Sequence, residues 1–137
     1  MRFLDKGFTL VALMISVSII TLLAAIGIPQ ILRTRITANE TAARATLKTI
    51  STALETYAAE VGQGYPTEIS VLMTTTPPYL TKNYIADSPF LGYNFDCETL
   101  EVSGYSCTAQ PQNCGQTGSK KYTITTSSVL TEADCGS

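Results

Sequence analysis

The sequence predicts an α+β protein, in which a long N-terminal helix packs under a small antiparallel β-sheet head with a disulfide-stapled C-terminal region. Residues Gly7 to Leu32 carry no charge, and apolar residues then continue at helical spacing as far as Val61. Beyond residue 65 the composition shifts to Thr, Ser, Pro, Gly and Tyr, with short alternating runs. All four cysteines follow in the last third of the chain. At 137 residues, the chain has room for one small folded domain beside the apolar helix.

The charge-free segment from Gly7 to Leu32 is long enough to cross a membrane. As an α-helix it would extend about 39 Å, against a hydrocarbon thickness of roughly 30 Å. A secretory signal has an apolar region of only about 7–15 residues before a small-residue cleavage site, for which Ala24-Ala25 would be the candidate. The length therefore favours a retained transmembrane helix. Basic residues flank both ends of the segment, so its orientation stays open from charge alone.

The helix is predicted to continue to Val61. Apolar residues recur at gaps of three, four and seven, at Ile36, Ala43, Leu47, Ile50, Leu54, Tyr57 or Ala58, and Val61. Pro29 removes one backbone hydrogen bond and is expected to kink the helix. Glu40 and Arg44 lie one turn apart, which predicts a favourable pair on the solvent side. The glycine-rich segment 62–64 predicts the helix end.

Three short runs after the helix show the alternation of half-buried antiparallel strands: residues 92–97, 104–108 and 121–126. A small meander that covers the apolar stripe of the helix is the simplest fold. The residues between helix and strands are predicted to form a loop, with a short helical turn near Glu68 to Met73. This arrangement places the sheet and the second half of the helix in one core.

The cysteines match no CxxC zinc or redox pattern, and an even count after an export-type segment indicates disulfides in an oxidising compartment. Cys97 and Cys107 lie on adjacent predicted strands joined by a short connection, so a bond across this hairpin is expected. Cys114 is then left to pair with Cys135. Four cysteines permit three pairings, of which we favour this one. Each disulfide would stabilise the head by roughly 2–4 kcal/mol.

The composition disfavours an enzyme and a nucleic-acid partner. Nine basic residues stand against eleven acidic ones with no block of either sign, so there is no electrostatic footprint for nucleic acid. The chain has no histidine, the commonest general base and metal ligand. Glu132 and Asp134 are weak calcium candidates, but their spacing matches no specific calcium loop, and solvated carboxylates are the favoured interpretation. No catalytic residue, metal or cofactor is therefore predicted.

A motif at the start of the chain fixes a basic residue, a glycine, a phenylalanine and a proline at set separations. It comprises Lys6-Gly7-Phe8-Thr9-Leu10, Val11, Leu13-Met14-Ile15 and the run from Leu23 to Gln30. This pattern resembles the prepilin-type signal of type IV pilins and type II secretion pseudopilins. The resemblance implies that a prepilin peptidase cuts between Gly7 and Phe8, and that the new amino group of Phe8 is then methylated. It also implies that the head lies outside the cytoplasm.

The resemblance further implies a division of the chain. Residues 1–7 would be a cleaved leader, 8–28 a transmembrane and filament-core helix, 29–61 an amphipathic helix continuing into the head, and 62–137 an extracytoplasmic β-rich head. The protein would be a structural subunit of a filament. Its partners would be copies of itself, other pilin-like subunits, the prepilin peptidase and an inner-membrane assembly platform. It would reside in the bacterial inner membrane before assembly, and afterwards in a periplasmic or extracellular filament.

Ala12 departs from the family pattern. The family usually carries a glutamate at this position, four residues after the mature phenylalanine, where it is thought to pair with the terminal amine that Phe8 would carry here. Hydroxyls at Ser16, Ser18 and Thr21 offer hydrogen bonds without charge, although bonding back to their own helix is the favoured interpretation. Phe8, Ala12 and Pro29 are therefore the residues on which assembly is expected to depend.

Three functions stay open at this stage. We favour a subunit of a type IV pilus, because a disulfide-bearing tail resembles the pilins. A pseudopilin of a type II secretion system is the alternative, because Tyr65-Pro66-Thr67 after the helix resembles the major pseudopilins. A membrane-tethered binding domain that never polymerises is the third possibility, which Ala12 keeps open. Whether the subunit is major or minor is also left open by Ala12.

Overall fold

The computed structural model describes residues 2–136, with side chains from Thr9 onward. The chain divides into two compact units, Met1–Thr34 and Arg35–Ser137. The elements are α1 (Arg2–Val61), α2 (Val71–Thr74), β1 (Tyr93–Glu101), β2 (Gly104–Pro111), β3 (Lys120–Thr125), a 3-10 turn (Thr126–Ser128) and β4 (Val129–Asp134). The predicted α+β class, with a long apolar N-terminal helix and an antiparallel sheet, is confirmed.

Helix α1 is continuous in both units and includes Pro29. It ends where the glycines predict, with Gly62 at φ 68° and its N–H donating to the carbonyl of Ala58 at 3.0 Å. A kink at Pro29 stays a prediction, because Pro29 lies within the uninterrupted helix. The short α2 lies within the loop region, close to the predicted helical turn, and buries Leu72.

The sheet is an antiparallel meander in the order β1-β2-β3-β4. Its first three strands correspond to the three predicted runs, each with slightly different ends. Cys97 lies directly opposite Cys107 in the β1–β2 pair, immediately before an irregularity in the register. In the β3–β4 pair, Tyr122 lies opposite Glu132. Cross-strand partners share a face of the sheet, so Glu132 is on the same face as the buried Tyr122.

The core of the second unit lies between the sheet and α1. The predicted stripe is confirmed at its centre, because Ala43, Leu47, Ile50 and Leu54 are all buried. The sheet contributes Tyr93, Phe95, Tyr105, Cys107, Ala109, Tyr122 and Ile124 to the same cluster. The stripe fades at both ends: Ile36 is half-buried and Val61 is 41% exposed. The part of α1 in the second unit therefore supplies one side of the core that the sheet covers.

Candidate assembly surface and processing site

The first unit presents a bare apolar helix surface. Every described side chain from Thr9 to Ile26 is exposed, and Leu23, for example, retains 66% of its accessible surface. In the described part of the chain, one helix is long and apolar enough to cross a membrane by length and composition. A soluble domain rarely leaves so continuous an apolar surface uncovered. This surface is suited to lipid, or to packing against other apolar helices.

Small residues interrupt this surface at Ala24, Ala25 and Gly27. A Cβ atom added at Gly27 would meet nothing within 4 Å, so the surface there is open. In lipid there is no hydrophobic force between helices, and small residues allow the close backbone approach on which helix association depends. This part of the first unit is therefore a candidate contact surface for other helices.

The hydroxyls near Ala12 are used within the helix. Ser16 donates to the carbonyl oxygen of Ala12 at 2.8 Å, and Ser18 donates to that of Met14 at 2.8 Å. Thr21 donates to the carbonyl of Val17 at 2.9 Å. The interpretation that these hydroxyls bond back to their own helix is confirmed. Position 12 itself presents only a methyl group.

The predicted processing site is at Gly7 and Phe8. Both residues lie in the helical backbone of α1, but their side chains lie outside the described residues. Cleavage at this bond and methylation of Phe8 therefore stay predictions from the motif. The assembly roles of Phe8, Ala12 and Pro29 also stay predictions.

In the second unit, two consecutive helix residues hold the loop between β2 and β3. The amide of Asn39 donates to the carbonyl of Thr117 at 3.0 Å. Glu40 Oε1 accepts hydrogen bonds from the backbone N–H of Ser119 at 2.8 Å and from its hydroxyl at 2.6 Å. These contacts join residues separated by more than seventy positions, so they fasten the loop across the domain rather than locally.

Glu40 and Arg44 do not form the close ion pair that their spacing predicts, although the charge of Glu40 adds to the hydrogen bond with Tyr122 in raising the pKa of Arg44. Arg44 instead reaches the sheet, where its Nη2 lies 2.8 Å from Glu132 Oε2 and its guanidinium is 4.7 Å from the centre of the Tyr122 ring. Lys120 Nζ lies 2.8 Å from the other oxygen of Glu132. Glu40 therefore binds the loop between β2 and β3, and Arg44 binds β4.

The calcium candidate Glu132 is thus paired with two cations. Hydrogen bonding and the charge of Lys120 lower the pKa of Glu132, with a smaller contribution from Arg44. Asp134 lies opposite Lys120 in the strand register. Among the residues that the structure describes, there is no group of three or more His, Cys, Asp or Glu side chains suited to a metal. The carboxylate of Glu132 serves here to tie β4 to α1 and β3.

A second polar cluster holds the turn between β3 and β4. Glu55 accepts hydrogen bonds from Tyr105 at 3.0 Å, Tyr65 at 3.0 Å and the backbone N–H of Ser127 at 2.7 Å. Ser127 and Ser128 both adopt left-handed conformations, with φ of 65° and 59°. Such conformations cost of the order of 1–3 kcal/mol each for residues other than glycine. The contacts from α1 help to hold this strained turn in place.

High pH is expected to unfold the second unit. Burial is the main cause of the raised pKa of Tyr65, Tyr93 and Tyr105, and nearby carboxylates add to it. A folded-state pKa above the unfolded value means that the stability is present below pH 10 and is lost as pH rises beyond it. We expect near-ultraviolet circular dichroism to collapse together with a rise in tyrosinate absorbance.

The matched variant for this prediction is Glu55→Gln. It removes a negative charge that raises the pKa of Tyr65 and Tyr105, and it keeps a similar side-chain shape. The tyrosines should then ionise at lower pH in the folded protein than they do in the unsubstituted chain. Ionisation of Tyr65, Tyr93 and Tyr105 at the pKa of free tyrosine, with no loss of the circular dichroism signal, would contradict the prediction.

Two disulfides staple the sheet, between Cys97 and Cys107 and between Cys114 and Cys135. These are the two pairs favoured from the sequence. The first links directly opposite positions of β1 and β2, and Cys107 is buried in the core. The second closes the β2–β3 loop onto the residue after β4, where Cys135 also donates its N–H to the carbonyl of Ser119 at 3.1 Å.

Comparison with known proteins identifies a family motif in the N-terminal segment. Residues 2–28 match the family model for the prokaryotic N-terminal methylation motif, which is the prepilin-type signal of type IV pilins and pseudopilins. The match supports a type IV pilin-like or pseudopilin precursor, and it points to a structural subunit. The signal implies processing by a prepilin peptidase and assembly with other pilin-like subunits, and the apolar helix fits a membrane-anchored precursor. No curated protein matches the chain.

Proposed function

We propose that the protein is a structural subunit of a type IV pilus-like filament, polymerising through its N-terminal helix after cleavage between Gly7 and Phe8. The observation that carries the proposal is a prepilin-type signal on a helix whose side chains from Thr9 to Ile26 are all exposed. Assembly moves this helix from lipid into a bundle of similar helices. Lipid and the helix bundle are both apolar, so burial of apolar surface contributes little to the free energy of assembly. The favourable free energy must come from close packing and from energy supplied by an assembly machine.

A type II secretion pseudopilus is the competing filament. The two disulfides of the C-terminal region support the pilus, following the likeness of such tails to those of pilins. Recovery of filaments from the medium after mechanical shearing supports the pilus. Filaments that stay within the periplasm and are needed for protein export would assign the subunit to a secretion system instead.

Processing is tested by intact mass. The full-length chain is expressed with a prepilin peptidase, and the intact mass of the purified protein is measured by mass spectrometry with and without reductant. We expect a species that begins at methylated Phe8 and is lighter by four hydrogens before reduction, as two disulfides require. A chain that still begins at Met1 would overturn the proposal.

Polymerisation is tested by a photo-cross-linking residue at Ile20, whose side chain is 64% exposed in the first unit. This probe avoids new cysteines, which would exchange with the two native disulfides. We expect a ladder of multimers after illumination of cells, and its loss in matched cells that lack the prepilin peptidase. Monomers alone in peptidase-containing cells would contradict assembly and favour a membrane-tethered binding domain.

A further inference from the structure

A corner of two aromatic rings on the second unit holds an ammonium group. The rings of Tyr84 and Phe90 meet edge to face, with centroids 5.5 Å apart and planes at 65°. Lys82 Nζ lies 4.4 Å from the centre of the Phe90 ring and 5.9 Å from that of Tyr84. Asp87 Oδ2 lies 3.8 Å from the same nitrogen. We call these four residues the Phe90 corner.

The walls of the Phe90 corner are held independently of the lysine. Tyr84 and Phe90 both pack against the hydrophobic core. The side-chain oxygen of Asn83 accepts hydrogen bonds from the backbone N–H groups of Ile85 and Ala86 at 3.2 and 3.1 Å. Ser88 donates to the carbonyl of Tyr84 at 3.0 Å and accepts the N–H of Phe95 at 2.8 Å, which ties the turn to β1. The corner is therefore formed before any ligand arrives.

Lys82 is a weakly held occupant of this corner. Its side chain remains 40% exposed, and its distance to Asp87 is at the outer limit of an ion pair. A primary ammonium is strongly hydrated and loses water bonds when it lies over a ring. A quaternary ammonium has no N–H groups to hydrate, and aromatic walls with a nearby carboxylate are the surroundings in which such cations are recognised.

We infer that the Phe90 corner is a binding site for quaternary ammonium groups such as choline, occupied in the free protein by Lys82. The ligand displaces the lysine side chain and takes its place over Phe90, beside Asp87. This site lies in the second unit and does not require polymerisation, so it goes beyond the proposed function. Since exposed contacts of this kind are weak, binding of a single choline falls in the millimolar range.

The test uses the full-length protein in maltoside micelles, with the backbone amide resonances of residues 82–88 and Phe90 followed during titration. The probe is choline chloride, and its uncharged carbon isostere, 3,3-dimethyl-1-butanol, is the matched control. Sodium chloride at the same concentration controls for ionic strength. We expect saturable shifts with choline alone. Equal shifts with the isostere, or none with choline, would overturn the inference.

Two variants and their combination separate competition by Lys82 from a simple change of charge. Lys82→Ala is expected to tighten choline binding about three-fold, because it removes the internal competitor. Phe90→Leu keeps an apolar side chain in the core contact and is expected to weaken binding about three-fold or more. In the double variant, the gain from Lys82→Ala should vanish. A gain that persists without the ring would reflect charge alone and overturn the inference.

Glycerophosphocholine distinguishes a lipid head group from free choline as the source of the cation. Displaced Lys82 is free to pair with the phosphate of the head group. If lipid head groups are the ligand, glycerophosphocholine binds more tightly than choline, and Lys82→Ala weakens it. If free choline is the ligand, the phosphate adds nothing and Lys82→Ala tightens both. Either result supports the site, whereas the absence of saturable choline binding to the unsubstituted chain overturns it.

Discussion

Gly118→Ala is expected to lower the free energy of unfolding of the second unit by about 3 kcal/mol, with a fall in melting temperature of roughly 15 °C. A Cβ atom at Gly118 would overlap the hydroxyl end of the Tyr93 ring. Tyr93 is fully buried and its hydroxyl donates to the carbonyl of Lys120 at 2.9 Å. The ring is surrounded by core residues, among them Tyr122 with its centroid 6.2 Å away, so a shift of the ring would disturb their packing.

The loop is equally unable to move away. The residues on either side of Gly118 are both held by α1, Thr117 through Asn39 and Ser119 through Glu40. Thermal unfolding followed by the near-ultraviolet signal of the tyrosines measures the effect. Gly136→Ala is the matched control, because the same methyl group there would meet nothing within 4 Å. Equal melting temperatures for the two variants would show that the contact with Tyr93 is not strained by the methyl group.

The long helix and the first strands could be predicted because their buried residues recur at regular intervals along the sequence. The buried positions Leu47, Ile50 and Leu54 repeat with the helical period, and Tyr93 and Phe95 alternate along β1. Strand β4 could not be predicted in this way. All six of its residues are exposed, so neither of its faces imposes an alternation. Its position follows instead from pairing with β3 and from the disulfide at Cys135, which are properties of the folded chain.

The polar contacts between elements could not be predicted either. Glu40 and Arg44 are neighbours on the helix, and a local rule pairs them, yet Glu40 binds Ser119 in the β2–β3 loop and Arg44 binds Glu132 on β4. Helical side-chain pairs contribute only about 0.2–0.5 kcal/mol, so a well-placed partner elsewhere easily displaces them. The processing motif, by contrast, is recognised as a linear pattern, so the sequence alone was sufficient to identify it.

Ala12→Lys is expected to abolish filament formation, whereas Ala12→Glu retains it or increases it. Both substitutions introduce a charge into a stretch that has none between Thr9 and Leu32, at an initial cost of about 2.5–3.5 kcal/mol if the charge stays at the membrane centre. The two introduced charges have opposite signs. If the cleaved chain carries an amine on Phe8, a neighbouring carboxylate at position 12 neutralises that amine in the bundle, while an ammonium repels it. Such opposite-charge compensation in an apolar setting is worth several kcal/mol relative to an unpaired ion.

The measurement is the amount of subunit recovered in the sheared filament fraction, normalised to the amount in the membrane. We expect Ala12→Lys to lower it at least about ten-fold, a loss that needs only about 1.4 kcal/mol per subunit contact. Ala12→Gln controls for size and polarity without charge and should lie between the two. Because the Ser16 hydroxyl donates to the backbone carbonyl oxygen of residue 12, none of these side chains removes that contact. Equal recovery of the lysine and glutamate variants would mean that no amine lies near position 12 in the assembled state, and the helix would then have to pack by apolar contact alone.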